Sequence, residues 1–137
     1  LPPYYFSESG CAKRLLELLL TGRKSVSDDE RIVEKVVSQS DITYDEIQLE
    51  AVKTAISSKV MILTGGPGTG KTTTTLGIIS AYKLAGYKIL LAAPTGRAAK
   101  RMAEATGMEA KTIHRLLEYK PPEGYQKMRI SRWKGMY

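Results

Sequence analysis

Val60-Met61-Ile62-Leu63-Thr64-Gly65-Gly66-Pro67-Gly68-Thr69-Gly70-Lys71-Thr72 is the stretch that decides the fold. Four consecutive apolar residues followed at once by glycines predict a short strand buried on both faces of a parallel sheet. From Gly65 the chain matches G-x-x-x-x-G-K-[ST], and Thr72 to about Ala85 reads as a helix ended by Gly86. Strand, glycine-rich loop and helix in that order form a P-loop. The glycines let backbone amides turn inward, and those amides, with the positive end of the helix dipole, attract phosphate oxygens. Lys71 adds a full charge at the β and γ phosphates, and Thr72 offers a hydroxyl to Mg²⁺. The expected nucleotide contacts are Gly66, Pro67, Gly68, Thr69, Gly70, Lys71, Thr72 and Thr73, with Lys71 and Thr72 as the catalytic pair.

Downstream, Lys88 to Ala93 reads as a second buried strand ended by Pro94, which would close a right-handed βαβ unit with the first. Gly96 to Ala105 is expected to be a helix, basic on one side, and Thr112 to Tyr119 a short strand or turn leading into a last helical turn. Upstream, Ser9 to Leu20 carries Cys11, Ala12, Leu15, Leu16, Leu19 and Leu20 at helical spacing, a stripe that predicts core or interface. Ser27 and Glu30 read as a capping box opening a helix with Ile32, Val33, Val36 and Val37 inward. Thr43 and Glu46 repeat the pattern, with Ile42 and Ile47 as the hydrophobic staple, so a further helix is expected from Tyr44 to about Ser57. The fold class is α/β, divided into a helical segment over 1–40, an ATP-binding part over 41–120 and an irregular basic tail over 121–137.

At 137 residues the chain is the size of one domain, and its start at Leu1 is read as that of a piece of something longer. Lys and Arg number 21 against 14 Asp and Glu, a net charge of +7 that suits a polyanionic partner such as nucleic acid. The single cysteine, Cys11, rules out an internal disulfide scaffold and fits a reducing, cytoplasmic setting. No apolar run approaches the roughly 20 residues of a membrane span, and no secretory signal is evident, so no membrane partner is expected.

The P-loop alone does not choose between reactions. Its neighbours do. Ile47-Gln48-Leu49-Glu50-Ala51-Val52 and Leu63-Thr64-Gly65-Gly66-Pro67-Gly68-Thr69-Gly70-Lys71-Thr72-Thr73-Thr74 resemble the adenine-reading glutamine motif and motif I of superfamily 1 helicases. Ala93-Pro94-Thr95-Gly96-Arg97-Ala98-Ala99-Lys100-Arg101-Met102 resembles motif Ia, and Lys111-Thr112-Ile113-His114-Arg115-Leu116-Leu117 the next DNA-facing segment. In that order the set is similar to the RecD-type branch, like the alpha subunit of exodeoxyribonuclease V: ATP-dependent helicases that move 5′ to 3′ on single-stranded DNA in recombination and repair. The resemblance implies a partial RecA-like parallel sheet preceded by a small helical segment, ATP and Mg²⁺ as cofactors, and repair or recombination subunits as further partners. By position, Gln48 would hydrogen-bond the adenine edge. Thr95, Arg97 and Lys100 would meet DNA phosphates, with His114 near the cleft.

The family also needs a hydrophobic strand ending in Asp-Glu to hold Mg²⁺ and activate water, and no such strand occurs in these 137 residues. Asp28-Asp29-Glu30 precedes the P-loop and begins a helix instead. The chain is therefore expected to bind ATP without turning it over. Met128 to Tyr137 departs from the family pattern; codons can be chosen so that one restored adenine before Met128 regenerates a family-like continuation, which suggests a frameshifted tail. The alternative is a basic nucleic-acid tail carrying Lys127, Arg129, Arg132, Trp133 and Lys134.

Overall fold

The computed structural model describes residues 3–21 and 29–119, which fall into two compact units divided between Ile89 and Leu90. The boundary falls inside the span 41–120. The basic tail and Ser27, one half of the first expected capping box, lie outside the described residues.

The first unit contains α1 (Pro3–Leu20), α2 (Asp29–Gln39), α3 (Glu46–Ser57) and α4 (Lys71–Leu84). Its core is built where α2, α3 and α4 meet, from Ile32, Val36, Val52, Ile56 and Ala81, with Val33, Tyr44, Ile78, Tyr82 and Ala85 against them. Helical spacing supplies this directly: Ile32 and Val36 are four apart, as are Val52 and Ile56. Val37, expected inward, is exposed; one residue past Val36 it has rotated about 100° off the buried stripe. Helix α3 approaches α4 so closely that a Cβ at Gly77 would come within 2.9 Å of Val52 Cγ2 and 3.0 Å of Tyr44 Cε1. Tyr82 Oη donates to the carbonyl of Ala55 at 2.7 Å across the same contact.

Three further expectations for this unit are corrected. Helix α1 starts at Pro3, six residues before Ser9, and among the described residues it adds nothing to the buried core, the first of the two roles expected for its stripe: its leucines and Cys11 are exposed. Helix α3 starts at Glu46 with Asp45 as its N-cap, so the capping box is Asp45 with Gln48, and Ile47 points to solvent at 82 % exposure instead of stapling to Ile42. Residues 60–63 form no strand; Ile62 is 86 % exposed. A strand exists only where a neighbour accepts its ladder, and no described strand does so here.

The second unit contains β1 (Leu91–Ala93), α5 (Gly96–Thr106), β2 (Ala110–Thr112) and α6 (Ile113–Leu116). The two strands pair in parallel, with Leu91 opposite Ala110, Ala92 opposite Lys111 and Ala93 opposite Thr112. The mixed α/β character is as expected, but the parallel pair joined through a helix is β1–α5–β2, one step further along the chain than the unit anticipated around the P-loop. Gly107, left-handed at φ 64°, ends α5 as its C-cap. Among the described residues no helix is long and apolar enough to cross a membrane.

Candidate functional site

The P-loop residues enter α4 through Gly70, the N-cap, whose φ of 77° is left-handed and admits glycine readily. Helices α3, α5 and α6 are each capped by a side chain, from Asp45, Thr95 and Thr112. Helix α4 has no side-chain cap. Its first-turn amides, at Lys71, Thr72 and Thr73, therefore present donors and the positive dipole end at the loop, which is the arrangement that holds a phosphate. The loop's own carbonyls are engaged from within: Lys71 Nζ donates to the carbonyl oxygens of Gly65 and Gly66, and Thr69 Oγ1 donates to that of Gly66 at 2.7 Å. The ammonium of Lys71 is thereby folded back onto the loop's own backbone.

The run Thr72 to Thr75 divides by position on the helix. Thr74 is 3 % exposed, and its hydroxyl donates back to the Gly70 carbonyl at 3.1 Å; Thr75 does the same to Lys71 at 2.8 Å. Thr72 is exposed at the start of the helix and makes no hydrogen bond through its hydroxyl to any described residue. That free hydroxyl fits a Mg²⁺ ion held mainly by phosphate oxygens and water, which needs little from the protein. Among the described residues no group of three or more His, Cys, Asp or Glu side chains could hold an ion by itself.

Gln48 is brought to the same place. Its Oε1 accepts from the Asp45 amide at 3.0 Å while its own backbone amide donates to Asp45 Oδ1 at 2.8 Å, and its Nε2 donates to the carbonyl of Gly70 at 3.4 Å. A Cβ at Gly70 would strike Gln48 Nε2. Sequence reasoning placed Gln48 at the nucleotide but missed its role in the capping box. The signal was present: Asp45 and Gln48 stand three apart, as Thr43 and Glu46 do.

In the second unit, Thr95 caps α5 by accepting from the Ala98 amide at 3.2 Å, and Thr112 caps α6 by accepting from the Arg115 amide at 3.2 Å. Both caps stand at the carboxyl end of the parallel pair, the end at which open α/β sheets bind ligands. Arg97 and Lys100 are exposed on α5 while Ala99 is buried; Lys100 reaches Glu104 at 4.0 Å, a surface pair one helical turn away. Arg101, four residues from Arg97, extends the basic face and was not singled out from sequence. His114 is exposed on α6, its ring 5.4 Å from that of Tyr119 in an edge-on contact. The four expected DNA contacts thus lie on the α5 and α6 segments of one unit.

The family described as AAA domain matches residues 48–134. Over 81 residues, 59 % of this chain and 11 % of the relative, the chain is 45 % identical to the ATP-dependent RecD2 DNA helicase of Deinococcus radiodurans. Over 112 residues, 65 % of this chain and 19 % of the relative, it is 41 % identical to RecBCD enzyme subunit RecD of Mycobacterium tuberculosis. It is also 37 % identical over 109 residues, 79 % of this chain and 11 % of the relative, to DNA-binding protein SMUBP-2 of Rattus norvegicus. The chain spans between a tenth and a fifth of the length of these curated relatives. The similarity to RecD-type helicases anticipated from the motifs is borne out.

Proposed function

The chain belongs to the AAA domain family, and from that membership we propose that it is the ATP-binding part of an ATP-dependent DNA helicase with a RecA-like motor, moving 5′ to 3′ on single-stranded DNA. The observation that carries the proposal is the side-chain-free start of α4 behind the Gly65 to Thr72 loop, with Lys71 folded back onto that loop. The first-turn amides take the phosphates, Lys71 neutralises the β and γ oxygens, and the Thr72 hydroxyl reaches Mg²⁺, which supplies charge neutralisation at the phosphates. Gly66, Pro67, Gly68, Thr69, Gly70 and Thr73 line the cradle. Gln48 selects adenine.

Thr95, Arg97, Lys100 and His114 hold the DNA strand through phosphate and ring contacts that carry no sequence preference. The relatives' names, ATP-dependent DNA helicase and RecBCD subunit, support a role in recombination or repair alongside other subunits. The 137 residues hold no apolar run ending in Asp-Glu, and the proposal for this stretch by itself is ATP binding without turnover. Calorimetric titration with ATP and Mg²⁺, combined with phosphate release with and without single-stranded DNA, tests both halves. Binding without DNA-stimulated release is the expected result. DNA-stimulated turnover would overturn the division between grip and hydrolysis.

A non-catalytic nucleotide- or DNA-binding module is the second reading, which the uncapped start of α4 and the exposed basic face of α5 would serve equally. Absence of ATP hydrolysis in the full-length protein would decide for it.

A further inference from the structure

The carbonyl oxygen of Gly70 receives three donors: the Thr74 amide at 3.0 Å, the Thr74 hydroxyl at 3.1 Å and Gln48 Nε2 at 3.4 Å. Two come from within α4. The third crosses from α3 and is the one side-chain hydrogen bond, among the described residues, from outside the loop and α4 onto a loop residue. Gly70 is the left-handed residue at which the loop turns into the helix, so its peptide plane is the joint between them.

A planar trans peptide points the carbonyl of Gly70 and the amide of Lys71 in opposite directions. Fixing the carbonyl toward Thr74 and Gln48 therefore aims the Lys71 amide the other way, among the first-turn donors that hold phosphate. Gln48 is itself held. Its Oε1 is bonded to the Asp45 amide and its backbone to Asp45 Oδ1, so the side chain is a braced strut running from the start of α3 to the loop. Each end of the carboxamide keeps one further hydrogen-bonding position, one proton on nitrogen and one lone pair on oxygen, so bracing the loop and meeting a base are compatible.

We infer that Gln48 is a positioning residue for the phosphate loop, acting through the Gly70 carbonyl whether or not a base is bound. The inference rests on the reading of Gly65 to Thr72 as the nucleotide site. It departs from a purely base-reading glutamine in one measurable respect: Gln48 contributes to the affinity for a phosphate chain that carries no base.

Inorganic tripolyphosphate with Mg²⁺, titrated calorimetrically into the full chain, separates the cases. Gln48→Met keeps length and removes both carboxamide bonds; it is expected to weaken tripolyphosphate binding about three- to tenfold, the scale of one hydrogen bond. Asp45→Ala removes the side-chain half of the capping box and leaves the Gln48 to Gly70 bond, so it is expected to lower the melting temperature with tripolyphosphate affinity unchanged. Were capping alone responsible, the two variants would behave alike. Tripolyphosphate affinity in Gln48→Met equal to wild type, with ATP affinity reduced, would overturn the inference and leave the nucleotide site standing. Wild type binding neither ligand would overturn both. Should circular dichroism show Gln48→Met to be unfolded, Gln48→Glu retains the acceptor for the Asp45 amide and loses the donor to Gly70. Compared with wild type at about 1 M salt, where screening acts within about 3 Å, it is expected to bind tripolyphosphate more weakly, and equal affinity would overturn the inference.

Discussion

Tyr82 Oη donates to the carbonyl oxygen of Ala55 at 2.7 Å, tying the helix that begins with Lys71 to the helix that carries Gln48. Burial raises the Tyr82 phenol above its ordinary value of 10.0, and neighbouring Tyr87 raises it further. The folded state therefore holds the proton more tightly than the unfolded chain, so this contribution is fully present below about pH 10 and is lost as pH rises from the unfolded to the folded value. Tyr82→Phe is expected to cost about 1 kcal/mol at neutral pH. Urea melts at neutral pH and above pH 10 check both statements: the wild type should lose stability at alkaline pH more steeply than the variant.

Gly77→Ala provides a test of how closely α3 and α4 approach. In an exposed helix interior this change gains about 0.5–1 kcal/mol. Here the new Cβ would meet Val52 and the Tyr44 ring at about van der Waals overlap, so the sign reverses and a loss of about 1–3 kcal/mol is expected. A raised melting temperature would show that the two helices are further apart than described.

Lys71→Ala is expected to abolish ATP binding with little change in far-ultraviolet circular dichroism. Among the described residues the side chain bonds only loop carbonyls and takes no part in the core. Calorimetry with ATP and Mg²⁺ measures the first; unchanged affinity would remove the loop as the nucleotide site.

Arg97→Ala and Lys100→Ala should each weaken single-stranded DNA binding evenly across sequences. The slope of log affinity against log salt should fall by about 0.7 for each phosphate that the variant no longer neutralises. Fluorescence anisotropy over a salt series checks this, and a slope unchanged in both variants would assign the basic face of α5 to solvent.

How legible each part was depended on where its determinants lie. The left-handed turns at Gly68 and Gly70 were readable because glycine itself admits them, and α5 because Thr95 and Gly107 punctuate it locally. The start of α3 was misplaced by two residues because Thr43 with Glu46 and Asp45 with Gln48 satisfy the same spacing. Placing Asp45 at the cap leaves Tyr44 outside the helix and against the core, which no local pattern specifies. Val60 to Leu63 reads as a strand by composition, but a ladder is a property of two segments, and the sequence of one does not supply its neighbour. The leucines of α1 predicted a helix correctly; their spacing is silent about what covers them.

The parallel pair Leu91–Ala93 and Ala110–Thr112 has a consequence for placement. Ala93 lies opposite Thr112, Thr95 follows two residues after Ala93, and Thr112 is itself a helix cap, so both helix starts are bolted to one end of one ladder. Strand β1 leads into α5 through Pro94, and through the ladder it pairs with the strand that leads into α6. Thr95, Arg97, Lys100 and His114 thus hang from one short piece of shared backbone, and their spacing is set by the register of that ladder.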